Sequence, residues 1–548
     1  MVSLKKSVAL LLAMALLVTL VGCGQTEDTQ PSVSDGAMTE SLDDTPETYA
    51  GTSVVLSDTG ITVDGTAISR DSTAAVYAAN DIVYYESGKD FTYGEGEEND
   101  AHTKAEAEAH TVVHITKAGQ YVLSGTLSKG QIAVDLGEDA QKDPNAVVTL
   151  VLNGMDITCS VAPAVIFYNV YECGSKNEST ATKDVDTTAA GARVIVANNS
   201  QNKVDGSYVA RIYKPGTVQL NEDGTEVEDA EKLHKYDAAF YSKMSMTVQG
   251  GNKGNGNGSL QIQAANEGLD SELHLTINGG VIQIESGNDG INTNEDNISV
   301  TTINGGVLNI VVNGATGEGD GIDSNGWLVI NGGTVVAQAC SFSGDAGIDS
   351  DKGIHINGGT VVAGGHMLDR IEDGGQTFAV FTMSRSRKNS FIQLKNTAGE
   401  TVLSQSIAND YSILVISSPN LIPGEYTLWD GEIQLEGSNG QGGGMRPGGV
   451  PEGQPPEGME PPQGEDGQRP TRPEGMEPPQ GEDGQRPTRP EGMEPPQGED
   501  GQRPTRPEGM EPPQGEDGQR PGGNSASDSG EVSAVFTISQ GANYFQIS

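Results

Sequence analysis

The chain has 548 residues, with 77 acidic against 32 basic side chains, a formal charge of −45, 74 glycines and only 5% aromatic residues. So negative a field repels nucleic acid and anionic lipid surfaces, so neither is expected as a partner. Length alone suggests several domains, but extended β architectures run long as one unit, and internal repeats have to decide.

At the start, Lys5 and Lys6 precede an apolar run from Val8 to Val21 that closes on Leu20-Val21-Gly22-Cys23. A positive beginning and a run too short to cross a bilayer predict a cleaved secretory signal over 1–22. A Cys directly after a small residue predicts diacylglycerol attachment at Cys23, which places the chain on the extracellular face of a bacterial membrane, held by its lipid alone. Residues 23–50 are rich in Thr, Ser, Asp and Glu, cannot bury a core and read as a disordered tether. Residues 51–109 mix helical and strand hints and are assigned to an N-terminal cap.

Residues 110–370 carry the strongest signal. Ile-Asn-Gly-Gly recurs at Ile277, Ile303, Ile330 and Ile356, spaced 26, 27 and 26 residues apart. A fixed period of this size means stacked coils. Counting five residues on from each Ile gives Ile282, Leu308, Val335 and Val361, and seven gives Ile284, Ile310, Ala337 and Ala363. Alternation of this kind places one set of side chains inward and the other outward. The period is too short for a βαβ unit and lacks a helical pattern, which leaves an all-β fold, a right-handed parallel β-helix forming a long flat-sided rod. The stretch 112–209 has looser strands and reads as earlier coils.

Residues 371–437 contain further strands and read as a C-terminal antiparallel β cap. Residues 438–530 repeat RPEGMEPPQGEDGQRPT with a period of seventeen, as at Arg472–Thr488 and Arg489–Thr505. So much Pro and Gly, without a Gly period of three, predicts a disordered insertion in the cap. Residues 531–548 return to strand, turn and strand, and are expected to complete the cap's sheet. Cys159, Cys173 and Cys340 are too few for a disulfide framework; one bridge between Cys159 and Cys173 is open, and buried apolar thiols are the plainer reading.

A second motif lies between the Ile-Asn-Gly-Gly turns, at Gly268-Leu269-Asp270, Gly290-Ile291-Asn292, Gly321-Ile322-Asp323 and Gly347-Ile348-Asp349. Stacking would crowd Asp289, Asn292, Asp320, Asp323, Asp345, Asp349 and Asp351 along one edge. Like charges at such spacing repel unless neutralised. Between Lys253 and Lys352 the sequence has thirteen acids and no Lys or Arg, so internal salt bridges are not expected there. Oxygen ligands on Gly-flexed turns suit a hard cation, and Ca2+ is the expected one. The alternative is that Asp-Gly and Asn-Gly only make turns, their charges solvated. Trp327, just before a coil strand, is the one evident stacking platform for a sugar, though a place against the core is the competing reading. The seven His residues show no metal-ligand spacing on a common element.

Three stretches together, ITKAGQYVLSGTL (115–127), VVTLVLNGMDITC with the apolar residues after it (147–165), and the successive GID and INGG turns, resemble the clostridial carbohydrate-binding β-helix family. That family is similar in fold to polysaccharide lyases. The resemblance covers about 110–365 and implies binding of cellulose or acidic sugars with calcium and without cleavage. An uneven coil near Ser299–Ile303 and a long loop from Tyr213 to Tyr236 depart from the pattern. The expectation is a noncatalytic lipoprotein that binds a polysaccharide, either an acidic glycan through Ca2+ or a cellulose-like one. Two rivals remain: a polygalacturonase-like glycoside hydrolase using paired Asp residues, and a protein-binding adhesin or structural stalk. A lyase is disfavoured, because the acidic stretch offers no basic residue to take a proton.

Overall fold

The computed structural model describes residues 42–440 and 532–548. The predicted signal peptide, Cys23, most of the tether and nearly all of the Pro-rich tract lie outside the described residues. What is described is nearly all β, in parallel and mixed sheets. Lys104–Glu108 is the one α-helix among the described residues, started by a capping box in which Thr103 and Glu106 satisfy each other's backbone N–H groups.

Three parallel ladders organise residues 52–365. The first runs through Thr52–Leu56, Gly119–Leu127, Val148–Cys159, Ala192–Val196, Met246–Gly250, His274–Ile277, Val300–Ile303, Trp327–Ile330 and Gly353–Ile356. Its inward column is Val194, Val248, Ile277, Ile303, Ile330 and Ile356, each paired with the next. The second takes Gln201–Gly206, Ser259–Ala264, Val281–Ser286, Val307–Val312, Thr334–Gln338 and Thr360–Gly365. Ile282, Leu308, Val335 and Val361 pair successively there, as do Ile284, Ile310, Ala337 and Ala363, in the register that the repeat predicts. The third takes Thr111–Ile115, Gly130–Asp135, Val165–Asn169, Ala238–Ser242, Glu267–Ser271 and Ile291–Thr293, continued by single bridges to Ile322 and Ile348. Inward apolar residues of all three form one core.

The Ile-Asn-Gly-Gly turn joins the first two ladders. Its second glycine takes left-handed backbone in every copy, with φ of 100°, 92°, 81° and 81° at Gly280, Gly306, Gly333 and Gly359. Its first glycine is pressed against the preceding repeat: a Cβ on Gly358 would sit 2.4 Å from the Asn331 carbonyl oxygen. The asparagines form a ladder of their own, each Nδ2 donating to the Oδ1 below at 2.8, 2.9 and 2.8 Å for Asn304, Asn331 and Asn357.

Several details differ from the sequence reading. Val300–Ile303 is a regular strand, paired in register on both sides, because the extra residues of that repeat fall in its turns. The loop from Tyr213 to Tyr236 belongs to an excursion that folds on itself, with Val209–Tyr213 antiparallel to Lys232–Tyr236 and Gln219–Leu220 to Val227–Asp229. The last residues of the expected tether are seated on the ladders: Lys253 Nζ lies 2.7 Å from Asp43 Oδ2, and Asn198 N donates to the Tyr49 hydroxyl at 2.9 Å. The three later cysteines are unbridged, with Cys159 and Cys340 buried.

At the C-terminal end, Tyr411–Ser417 lies antiparallel to both Thr360–Gly365 and Phe378–Arg387. The final residues find partners here: Phe536–Ile538 lies antiparallel to Gly424–Asp430, and Ala542–Ile547 lies parallel to Phe378–Arg387. The cap is therefore mixed instead of purely antiparallel, because Phe378–Arg387 receives its second partner from the far side of the insertion. Phe381, Phe536 and Phe545 pack together at its centre, with ring centroids 5.1 to 5.6 Å apart.

The two kinds of column should differ in worth. Ile330→Ala, which empties a fully buried position, should cost about 2–5 kcal/mol. Asn331→Ala, which breaks two exposed hydrogen bonds, should cost about 1 kcal/mol. Denaturant unfolding of both variants reads the difference, and equal costs would overturn the assignment of stability to the core.

Candidate functional site

From Glu267–Ser271 onward the third ladder carries the Gly-Leu/Ile-Asp/Asn motif, and its register stacks the polar residues as it stacks the apolar ones. Asp270 pairs with Asn292, and Ile291, Ile322 and Ile348 bridge in sequence, which places Asp323 and Asp349 in the same column. Three residues earlier, Glu267, Asp289 and Asp320 form a second column. Backbone groups bind each turn to the next: Asp323 N donates to Ile291 O and Asp349 N to Ile322 O, both at 2.8 Å. The Ser or Thr of the turn faces inward, as in the 2.8 Å contact between Thr293 Oγ1 and Ser324 Oγ.

Asp320, Asp323 and Asp349 converge: one carboxylate oxygen from each lies within 4.8 Å of the others. Two neighbouring acids accept backbone N–H groups from the next repeat: Asp289 Oδ1 from Asp320 at 2.6 Å, and Asp320 Oδ1 from Ala346 at 2.5 Å. Asp345 accepts from Gly319 N of the preceding repeat at 2.5 Å and from the Ser343 hydroxyl of its own turn. Asp351 is exposed and stands outside the trio, its backbone N–H donating to Ser324 O. Trp327 starts a strand of the first ladder, partly buried between Val300 and Gly353, in a different ladder from the carboxylates.

A deeper group lies one repeat earlier. Glu267 and Asn292 are 6% and 7% exposed and touch through Asn292 Nδ2 and Glu267 Oε1 at 3.2 Å. Glu267 Oε2 and Asn292 Oδ1 are buried without a hydrogen-bond partner among the described residues. Asp270, fully buried, accepts both of its bonds from Asn294 Nδ2. Two orphaned acceptor oxygens inside an acidic column need a donor or a cation. Glu267, Asp270 and Asp369 were missed in the sequence. Asp270 carries the same signal as Asp323, and Asp369, whose carboxylate accepts from Ser350 N at 3.1 Å, follows an apolar residue as the other column aspartates do.

The absence of bases in the sequence is not an absence in space. Lys176 reaches Glu295 at 2.5 Å and Lys232 reaches Glu272 at 3.6 Å, so the expectation of no salt bridges fails for these two acids. Both lysines come from segments outside the repeat, which the spacing of charges along the chain could not reveal. No Lys or Arg pairs with Asp289, Asp320, Asp323 or Asp349 among the described residues. Burial, followed by the charges of Asp345, Asp289 and Asp369 respectively, pushes Asp289, Asp323 and Asp349 up to about 7. Burial and Asp289 raise Asp320 well above the carboxylate range, and burial does the same to Glu267 and Asp270. The donor set is oxygen throughout and suits a hard divalent cation, with Asp320, Asp323 and Asp349 as the residues that could hold one.

Raised carboxyls make the folded chain the stronger proton binder. Their contribution is complete below the unfolded value of 3.8 and is lost as pH rises through about 7. In chelator, the thermal midpoint should therefore fall between pH 4 and pH 8. Asp323→Asn should flatten that slope, and a midpoint that rises over the same interval would overturn the assignment.

A family model described as "Carbohydrate-binding domain-containing protein" matches residues 109–225 and 177–379. A protein of the same description from Acetivibrio thermocellus is 28% identical over 175 residues, covering 32% of this chain and 45% of its own. The chain thus spans less than half of that relative's length. The solved structure of the polysaccharide lyase-like protein from C. thermocellum, a gadolinium derivative, is 18% identical, with 57% of this chain and 90% of that chain covered at a TM-score of 0.30. Over the stretch that carries the carboxylate columns, the chain is similar to carbohydrate-binding domain-containing proteins.

Proposed function

We propose that this protein is a noncatalytic, carbohydrate-binding surface lipoprotein whose stacked ladders form a right-handed parallel β-helix, and that it binds an acidic polysaccharide with the help of Ca2+. The observation that carries the reading is the convergence of Asp320, Asp323 and Asp349 without a basic partner among the described residues. Three carboxylates held this close are stable at neutral pH either protonated or around a cation, and calcium is the abundant hard cation outside cells. A uronate would complete the coordination, since a calcium ion held by the chain can bridge its carboxylates to that of the glycan. The similarity to carbohydrate-binding domain-containing proteins over 109–379 supports the ligand class. The lipid at Cys23 would hold the domain at the cell surface, with 23–41 as the remaining tether.

The rival hydrolase would use two of these acids as general acid and base or nucleophile. Calorimetric titration with polygalacturonate, in calcium and in chelator, separates the two when reducing ends are measured in the same samples. Binding should require calcium, produce no new ends, and weaken at least tenfold in Asp320→Asn and Asp323→Asn. Calcium at a hundred times its dissociation constant should also stabilise the fold by about 2.7 kcal/mol per site at pH 8, and by little at pH 5, where the acids hold protons. New reducing ends would sink the noncatalytic reading, and calcium-independent binding would sink the bridging one.

A further inference from the structure

Two segments leave the ladders, and they are fastened to each other. The excursion 207–237 interrupts the repeat between Gln201–Gly206 and Ala238–Ser242, whereas Ser259–Ala264 and Glu267–Ser271 are separated by only two residues. The other segment, 80–102, belongs to the N-terminal cap. Tyr213 N donates to Tyr93 O and Glu95 N to Arg211 O, both at 2.9 Å, and Arg211 Nη1 reaches Glu95 Oε1 at 2.9 Å. The contact is close: a Cβ on Gly94 would lie 2.2 Å from the Arg211 carbonyl oxygen. Behind it, buried Tyr85 meets Tyr93 edge-on at 5.1 Å. Neither segment follows the repeat, yet Ile82, Tyr85, Val209 and Ile212 pack into the same core as the ladders and hold both in one arrangement.

Between the segments opens a cleft of about 880 Å³, within the size range of small-ligand sites. Tyr84, Tyr93 and Tyr213 line it, each partly exposed, and Leu220 and Leu233 are 41% and 44% exposed there. Through shared Val83, Leu233 and His234 it adjoins a second cavity of about 320 Å³, lined in part by Tyr168 and Tyr236. Around the first cleft Lys89 pairs with Glu86 at 2.8 Å and Asp90 accepts from Thr92 N at 3.0 Å; around the second His114 lies 2.8 Å from Asp81, while Asp135 and Lys243 stand in no ion pair among the described residues. With bases among the acids, this is the reverse of the carboxylate columns. A surface of phenol rings and exposed leucines favours a ligand that is uncharged, with apolar ring faces and hydroxyls at its edges.

We propose that this cleft binds a neutral saccharide chain, its pyranose rings stacked on Tyr84, Tyr93 and Tyr213, without any cation. It is a second site, distinct in place and in ligand charge from the carboxylate columns, and it extends the carbohydrate-binding reading without depending on calcium.

The test is calorimetric titration of the full chain with cellohexaose in chelator, repeated with Tyr213→Ala, Tyr93→Ala, Leu220→Arg and Asp320→Asn. Binding should occur in chelator, weaken at least tenfold in Tyr213→Ala and Tyr93→Ala, weaken likewise when Leu220→Arg places a charged side chain at the exposed rim, and stay unchanged in Asp320→Asn. Calcium-dependent binding of polygalacturonate should survive Tyr213→Ala and Leu220→Arg, which shows those variants folded. No cellohexaose binding in chelator, or binding indifferent to both Tyr213→Ala and Leu220→Arg, would overturn the cleft while leaving the carboxylate reading intact. Cellohexaose binding with no polygalacturonate binding in calcium would support the cleft and overturn that reading alone.

Discussion

In-register parallel pairing is the constraint on which everything else in this chain depends. When one repeat hydrogen-bonds to the next without a shift, each position meets its own counterpart at the strand spacing of about 4.8 Å. For the column Ile277, Ile303, Ile330 and Ile356 this is favourable at every step, since like apolar side chains bury one another. For Asn278, Asn304, Asn331 and Asn357 it is favourable too, because an amide both donates and accepts and can hydrogen-bond to a copy of itself.

For Asp it is unfavourable. A carboxylate cannot donate to its own copy, and burial removes the water that would screen it. The chain relieves part of this cost by giving Asp289 and Asp320 a backbone N–H each from the repeat above. It also breaks one column with Asn292, an amide between acids, whose nitrogen serves Glu267. What remains is a set of carboxyls pushed up to about 7, together with two buried oxygens that lack hydrogen-bond partners among the described residues. A fold maintained for stability alone would replace these residues with more of what fills the neighbouring columns. Acids stand at this turn in repeat after repeat, and the cost of burying them is one that the apolar and amide columns beside them do not carry.

The repeat made the ladders legible in the sequence. Ile-Asn-Gly-Gly recurs without interruption, and counting five and seven residues from each Ile identified paired residues, because apolar periodicity and register are the same information in a stacked fold. Within the candidate site, Asp320, Asp323 and Asp349 were legible for the same reason. Asp351 shares their sequence neighbourhood but is exposed, since one further step along the turn leads out of the column. Asp270 stood in the same motif, with Glu267 just before it, yet their burial was not legible there, and the excursion adds beside them Lys232 and Lys235, paired with Glu272 and Asp237. Lys176, the excursion and the cleft beside it lie outside the period, and a periodic argument has nothing to say about insertions.

The insertions in turn explain how one scaffold can present two unlike surfaces. A ladder can only repeat what its register dictates, so a polar feature built on it becomes a row of like groups, amides in one column and carboxyls in another. Segment 80–102 and the excursion 207–237 are free of that rule. They bring together residues of different kinds, and there Lys89 can stand beside Glu86, and Arg211 beside Glu95, at ion-pair distance. Mixed charge next to aromatic rings is the arrangement that a strict repeat cannot make. The acidic columns are therefore a property of the stack, and the balanced cleft is a property of the chain that departs from it.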